Sequence, residues 1–587
     1  MKVKKISLIF LIVFSVILIS CSVRAEASGS EGFVGTNGSR FVYSNGKEYK
    51  IRGMNFSNNS YEKWLDTTKI ENDHNEESYK ELSSMGFNTI RFYLNYNMFE
   101  SDEAPGNYYP LGFQKIDENI ELAKKYGMKL LFNMHYPQGG YQSRGGGNAL
   151  WTGEKSASNQ ERLADLWAEF ARRYADEPAV LGYGLVNEPY IPGSDYESAL
   201  ALWTALSQKI TDKIRKYDKN HIIFVERVFK IKNYDTGIDV NYGADQGYPD
   251  LKDDNFAYEI HFYEPGAFSN QGMPWSESYK NSSYTWPNED VVIGIYNRKA
   301  LDNAKVSRQY SGPFKTGADW QELQTDFYRA ENEKDTVANF KLICSRLGSV
   351  AQEGSLYLDY LELIEKSGGE EKVVYKEDFE TSKGLFDGTK NLSILQKSAS
   401  DLTALGITDC NGALEVKQTV EEGKSDYAQV VDEANRGIIK SGRQYSIKIR
   451  FIVNVADDAQ NTNITLQFIP CTANVRHHDK DFLDANIKAY ANAAEERQIP
   501  FYVGEFGLYK YAFFETNTSN PAEKGAGQYI RELISVFNKY NLAYSYHCYH
   551  EDGFGLYCDA WKSVPSENPA KESRIEELYQ ALKDSVK

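Results

Sequence analysis

Between about residues 33 and 265, short apolar runs rich in β-branched residues alternate with segments whose apolar residues recur at helical spacing. Parallel strands need a long crossover between them, usually a helix, so this alternation selects a parallel β/α architecture over bundles and all-antiparallel folds. The candidate strands are Tyr49 to Phe56, Asn88 to Leu94, Lys129 to His135, Leu181 to Glu188, His221 to Glu226 and Tyr258 to Tyr263. Helical stripes lie between several of them. One carries Ile116, Ile120 and Ala123, a second Leu163, Leu166, Trp167, Phe170 and Tyr174, and a third Trp203, Leu206, Ile210 and Ile214.

The alternation then stops for nearly two hundred residues and the period falls to two. Tyr445, Ile447, Ile449, Phe451 and Val453 alternate with polar residues, as do Ile464, Leu466 and Phe468, Ala338, Phe340, Leu342 and Cys344, and Leu323, Thr325 and Phe327. This is the pattern of an antiparallel β-sandwich. After it the β/α pattern resumes, with strands at Pro500 to Phe506 and Leu542 to Tyr549 and helices around Leu483, Ile530 and Leu578. Six strands plus two make eight. The expected fold is one (β/α)8 TIM barrel over residues 32–285 and 480–587, with a jelly-roll-like sandwich over 286–479 inserted between the sixth strand and the following helix. A length of 587 residues, which by itself suggests three or four domains, is then one generous barrel with one guest.

The first residues read as an address. Lys2, Lys4 and Lys5 precede an apolar run from Ile6 to Ser20, too short for a comfortable membrane span and suited to an export signal. Leu18-Ile19-Ser20-Cys21 resembles the lipobox of bacterial lipoproteins, which implies a signal peptide over 1–20, lipidation at Cys21 and a flexible tether over 21–31. The alternative is a secretory signal cut near Ala25-Glu26-Ala27. An exported protein at the bacterial cell surface or outer membrane, held by its N-terminal lipid, is the expectation. Net charge −17 argues against nucleic acid as a partner, because phosphate binding needs concentrated positive charge. Five cysteines besides Cys21 show no CxxC and no Cys/His spacing of a zinc site, so no metal or cofactor is expected; Cys548 with Cys558 is one disulfide pairing the export route permits. The protein is expected to work as a monomer.

In barrels of this kind, reacting groups stand at the C-terminal ends of the strands. Strand 2 there offers Arg91, strand 3 His135, strand 4 Asn187-Glu188-Pro189, strand 6 His261 and Tyr263, and strand 7 Gly504-Glu505-Phe506-Gly507. Of eight histidines in the chain, His135, His261 and His547 fall at such ends, more than random placement would give. Two glutamates facing each other across a barrel mouth suit a retaining glycosidase, whose carboxyl groups stand about 5–5.5 Å apart.

Five segments in order carry a family resemblance: Met85-Gly86-Phe87-Asn88-Thr89-Ile90-Arg91, Ala123-Lys124-Lys125-Tyr126-Gly127 leading to His135, Tyr183 through Asn187-Glu188-Pro189, Tyr258 through His261-Phe262-Tyr263, and Val503-Gly504-Glu505-Phe506-Gly507. The chain resembles glycoside hydrolase family 5, the cellulase and mannanase family. The resemblance implies Glu188 as general acid/base, Glu505 as nucleophile and Asn187 on the sugar 2-hydroxyl. It also implies Arg91 and Tyr263 on Glu505, with His135 and His261 completing the polar floor under the −1 sugar. A buried polar framework is the alternative for these four supporting residues. The activity implied is an endo-β-1,4-glucanase on a polysaccharide, with β-mannanase or β-1,3/mixed-linkage glucanase as alternatives and a non-catalytic glycan-binding lipoprotein as a third reading.

One position departs from the family. His547 stands where strand 8 usually carries the tryptophan platform under the −1 sugar, so either a neighbour such as Tyr549 supplies stacking area or the −1 sugar differs. Trp151 and Trp275, with Tyr96 and Tyr190, are further candidate sugar platforms on catalytic-face loops. Within the insertion, residues 375–468 look like the opening half of a carbohydrate-binding module and 315–364 like the closing half, in inverted order. That order suggests a circularly permuted sandwich joined near Ser367-Gly368-Gly369 that could hold glycan; a structural flap is the alternative.

Overall fold

The computed structural model describes residues 32–58, 74–140, 149–233, 235–243, 245–300, 306–311, 319–329, 336–345, 354–381, 386–388, 392–418, 426–431, 442–454, 463–510, 524–551, 553–557 and 574–586. Cys21, Cys558 and the whole N-terminal address lie outside these residues. The chain divides into two compact units, one of residues 1–286 and 483–587, the other Pro287–Phe482.

The first unit is a closed barrel of eight parallel strands: β1 (Arg52–Phe56), β2 (Thr89–Asn95), β3 (Lys129–Tyr136), β4 (Val180–Gly184), β5 (Ile222–Glu226), β6 (Phe256–His261), β7 (Phe501–Glu505) and β8 (Ala543–Tyr546). Each strand pairs with its sequence neighbour, and β8 pairs with β1 through Tyr544↔Arg52 to close the ring. Helices α1 (Glu76–Met85), α2 (Pro110–Lys125), α3 (Ser156–Tyr174), α4 (Tyr196–Ile214), α5 (Lys480–Arg497), α6 (Ala526–Lys539) and α7 (Glu576–Ser585) supply the crossovers. Their starts are chemically marked: Asn75 and Asp195 accept the Ser78 and Ser198 backbone N–H groups at the N-termini of α1 and α4, contacts worth about 1 kcal/mol each.

The crossover from β5 to β6 departs from the repeat, since its described residues hold no helix. Residues 233–250 are dense in Asn, Asp, Gly and Pro, which favour turns over helix, and the segment contributes only Lys230–Lys232, paired beside Tyr190–Pro192. The N-terminal end of the barrel is apolar. A hairpin of Val34–Asn37 and Arg40–Tyr43 lays Phe41 on Phe224 with ring centroids 5.8 Å apart, and Tyr49, Ile51, Leu131, Leu181, Ile222 and Tyr502 complete that cluster. Burying such a cluster stabilises by roughly 25 cal/mol per Å² of apolar area and leaves the opposite end of the barrel for polar chemistry.

The second unit holds two antiparallel sheets. Ile464, Leu466 and Phe468 of one sheet share a core with Leu356, Leu358, Leu363, Ile447, Ile449 and Phe451 of the other, so the unit is a sandwich. Its first strand, Asn288–Ala300, pairs antiparallel with its last, Asn463–His478, in a register that sets Asn288 opposite His478. Both chain ends of the unit therefore emerge side by side, which is what insertion into a single loop requires. Strands Gly354–Ser367 and Glu370–Glu377 form a hairpin through Gly368 and Gly369, whose φ values of +63° and +93° favour glycine.

Candidate active site

Strand register brings the polar groups together. Glu259 lies beside Glu226 across β6 and β5, and His261 lies beside Glu505 across β6 and β7. An irregularity between Ile260 and His261 sets that last pairing. Gly504 leaves room for Glu259: a Cβ at that position would stand 1.9 Å from Glu259 Oε1.

Glu505 accepts three side-chain hydrogen bonds. Arg91 Nη1 donates to its Oε1 at 2.8 Å, the Tyr93 hydroxyl donates to the same oxygen at 2.6 Å, and the Tyr263 hydroxyl donates to Oε2 at 2.9 Å. Arg91, itself fully buried, also donates from Nη2 to Asn187 Oδ1 at 2.8 Å and pairs with Glu259 at 2.7 Å. Burial alone would push the Glu505 carboxyl up, but the His261 and His547 imidazoles and the Arg91 guanidinium outweigh it and hold Glu505 well below the usual carboxylate range.

Glu188 sits four residues past the end of β4 at φ +40°, a left-handed conformation that costs a non-glycine residue of order 1–3 kcal/mol. Its backbone N–H donates to Glu226 Oε2 at 2.7 Å and Asn187 N–H to Met134 O at 3.0 Å, which fix the turn. The Glu188 carboxylate meets His261 Nδ1 at 2.9 Å, and the same nitrogen lies 3.5 Å from Glu505 Oε2. A carboxylate oxygen of Glu188, a ring nitrogen of His261 and a carboxylate oxygen of Glu505 all lie within 4.8 Å of one another. Burial opposes charge on His261, yet Glu226 and Glu505 outweigh it and raise the imidazole well above its ordinary value. Burial raises the Glu226 carboxyl well above its own, with Glu259 and Glu188 adding to the effect. His261 thus stands between the Glu188 and Glu505 carboxyl groups with Glu226 behind it, an arrangement suited to moving protons.

These groups open onto a cleft of about 780 Å³ whose lining includes Glu188, His261, Tyr263, Glu505, His547 and Trp275. Trp275 is 67% exposed and stands perpendicular to Tyr509 at 5.4 Å, which leaves much of its ring open to a ligand. Asn187 keeps one buried side-chain donor, Nδ2, without a protein partner.

Several expected residues stand elsewhere. Trp151 is buried, edge-on to Trp203 at 6.1 Å, and packs against the α3/α4 layer instead of forming a sugar platform. Tyr549 is also buried, against Phe56, with its hydroxyl on Glu81, so it does not replace the tryptophan platform. Tyr96 is buried with its hydroxyl on Asp102, and Tyr190 belongs to the short strand pair beside the barrel. His135 stacks beneath Tyr93 with centroids 3.9 Å apart and does not line the cleft; burial holds it well below its ordinary value, hence neutral. Cys548 is a buried free thiol.

Other participants were missed in the sequence. Tyr93 and Glu259 lie two residues from Arg91 and His261 on the same strands, so the period of two already puts them on the same face. Glu226 ends β5, the position at which such groups are sought. Asn55 donates to the Tyr93 hydroxyl at 2.8 Å and to Gly504 O at 3.0 Å, and nothing in its sequence context marks it. Among the described residues, three groupings have ligand atoms close enough for an ion, namely Glu188/His261/Glu505, Glu226/Glu259/His261 and His547/Cys548/Glu551. All three already hold their own ion pairs.

The family model described as Cellulase (glycosyl hydrolase family 5) matches residues 42–303, which contain β1 to β6 and Glu188. Endoglucanase C of Acetivibrio thermocellus is 28% identical over 203 residues, 35% of this chain and 54% of that protein. Cellodextrinase A of Ruminococcus flavefaciens is 28% identical over 228 residues, 38% of this chain and 62% of that one. The chain thus spans about half the length of the curated relatives it matches. The crystal structure of endoglucanase Cel5A from the hyperthermophilic Thermotoga maritima gives a TM-score of 0.44 at 14% identity, covering 91% of this chain and 96% of that one.

Proposed function

Residues 42–303 are a cellulase domain of glycosyl hydrolase family 5, and from that premise we propose that the protein is a retaining, endo-acting β-glycosidase that cleaves β-1,4-glucan by double displacement. The observation that carries the reading is that Glu188 and Glu505 flank one ring nitrogen, His261 Nδ1, at 2.9 and 3.5 Å, a close approach that suits the short carboxyl separation of about 5–5.5 Å in a retaining pair.

Glu505, held ionised, attacks the anomeric carbon while Glu188 delivers its proton to the departing glycosidic oxygen. The C–O bond to the leaving chain breaks as the ester to Glu505 forms. Water then enters, gives a proton to Glu188 and attacks the same carbon, releasing Glu505. The unspent Asn187 Nδ2 is placed to donate to the 2-hydroxyl, a contact that strengthens as positive charge develops on the ring. His547 at the platform position favours, as a second reading, a −1 sugar other than glucose, with mannan or β-1,3/mixed-linkage glucan as substrate.

The test is reducing-end release by purified residues 32–587 on a panel of β-glucans and mannans, beside Glu505→Gln. Activity on β-1,4-glucan that the variant loses supports the reading; no release on any glycan, or equal release by both, overturns it. The export route belongs to the same proposal: lipidation at Cys21 and membrane attachment, checked by labelling with a radiolabelled fatty acid and its loss in Cys21→Ser. Glycan holding by the sandwich has less behind it. Among its described residues the large exposed hydrophobic side chains are the aliphatic Val373, Leu395 and Leu405, and Trp320 lies under Arg450 at 4.7 Å.

A further inference from the structure

The tryptophan position of β8 is occupied by an imidazole wired to the nucleophile. His547 Nδ1 lies 3.0 Å from the Tyr93 hydroxyl, and Nε2 lies 3.4 Å from Glu551 Oε1. Tyr93 has one hydroxyl proton, and it goes to Glu505 Oε1 at 2.6 Å, because an ionised carboxylate can only accept. Asn55 Nδ2 already donates to the same hydroxyl at 2.8 Å. Nδ1 of His547 must therefore be a donor to Tyr93, and Nε2 faces the Glu551 carboxylate, which favours a proton on that nitrogen too. An imidazole that donates from both nitrogens is an imidazolium.

We propose that His547 is a positioning residue for the nucleophile: backed by Glu551, its charged ring donates to the Tyr93 hydroxyl and thereby aims the Tyr93 proton at Glu505. The inference rests on the reading of Glu505 as nucleophile. An indole at this site has one N–H and no charge, so it could stack under a sugar but could not hold both contacts. The titratable and charged groups facing the ring are Tyr93 and Arg91 of β2, His135 of β3, Glu505 of β7, and Cys548 and Glu551 beyond β8; Lys510 is committed to the carbonyls of Glu551 and Tyr557. Burial opposes charge on His547, and the Glu551 and Glu505 carboxylates outweigh it and raise the imidazole above its ordinary value.

The experiment follows labelling of Glu505 by a 2-deoxy-2-fluoro-β-cellobiosyl fluoride, with the manno analogue in parallel, by intact mass. The Glu505 oxygen bonds to the anomeric carbon as fluoride leaves, and fluoride needs no proton from Glu188, so the pH dependence reports the nucleophile's own surroundings. His547→Gln is expected to slow the maximal labelling rate roughly 10- to 100-fold, the range carried by outer partners of a reacting group, with the half-saturation concentration little changed. Glu551→Gln is expected to move the alkaline limb to lower pH, since the carboxylate that keeps the ring charged is gone. Labelling of His547→Gln at the wild-type rate, or with an unchanged alkaline limb that assigns it to His261, overturns the proposal. Independently of any substrate, ¹⁵N-histidine spectra of the wild-type protein, assigned by the signals lost in His547→Gln, should show both His547 nitrogens protonated at neutral pH; a neutral ring there overturns it too. Failure of every glycosyl fluoride to label the wild type would instead sink the glycosidase reading, and the nitrogen spectra still decide the charge.

Discussion

Glu505 illustrates how neighbours fix a residue's chemistry. Three donors and nearby cations keep it charged although it is buried, so its carboxyl titrates below its ordinary value near 4.3. Its folded pKa is depressed, so its contribution to stability is fully present above the unfolded value and is lost as pH falls through the folded one. The acidic limb of kcat/KM should accordingly lie below the ordinary carboxylate range, and Arg91→Met, if it folds, should move that limb upward in a pH–rate profile. Tyr93→Phe removes one donor from the nucleophile and leaves His547 Nδ1 without an acceptor; kcat should fall about 10- to 100-fold with KM little changed, as for loss of a preorganised donor. That Glu188, Glu505, Arg91, His261 and Tyr263 stand together was legible because strand ends in a β/α barrel converge. The Trp151 expectation failed because a loop tryptophan and a packing tryptophan look alike without knowing which helix the loop folds onto. Asn55 matters through a hydrogen bond to Gly504, hundreds of residues away, which no local pattern reveals.

At the scale of elements, all eight barrel strands were readable from apolar runs, and their ends were not. The fourth strand, expected to reach Glu188, stops at Gly184 because the next residues turn to place Glu188 at positive φ. The β5 to β6 crossover holds no helix among its described residues, in keeping with the turn-forming residues visible there in the sequence. Helix α6 shows the opposite case, with Ile530, Leu533, Ile534 and Phe537 all buried as their spacing predicts. Leu533→Ala should cost about 2–5 kcal/mol, seen as a lower midpoint in urea unfolding. Gly504→Ala tests the barrel from inside. A methyl group aimed at Glu259 Oε1 must displace the carboxylate that pairs with Arg91, so activity should fall more than thermal stability does.

The whole molecule is two units that each carry a hydrophobic core. Nothing in a period-two pattern says where the ends of a sandwich emerge, yet that decides whether a barrel can host one. Here Asn288 opposite His478 brings both ends to one edge, so the guest closes on itself and asks the host only for two adjacent attachment points. On the host side, Trp286 is anchored to Phe268, Tyr529 and Glu532, and Tyr490 of α5 packs edge-on to Phe262 just past β6. Both attachment points are thus fastened by contacts within the barrel unit. Replacing residues 287–482 with a short Gly/Ser linker should therefore leave a folded barrel that still turns over a soluble glucan, while residues 287–482 alone should unfold as a separate cooperative transition. Calorimetry of the full chain should then show two transitions, each matching one of the separated pieces. A single transition for the full chain, or a linker variant that fails to fold, would mean that the barrel depends on its guest.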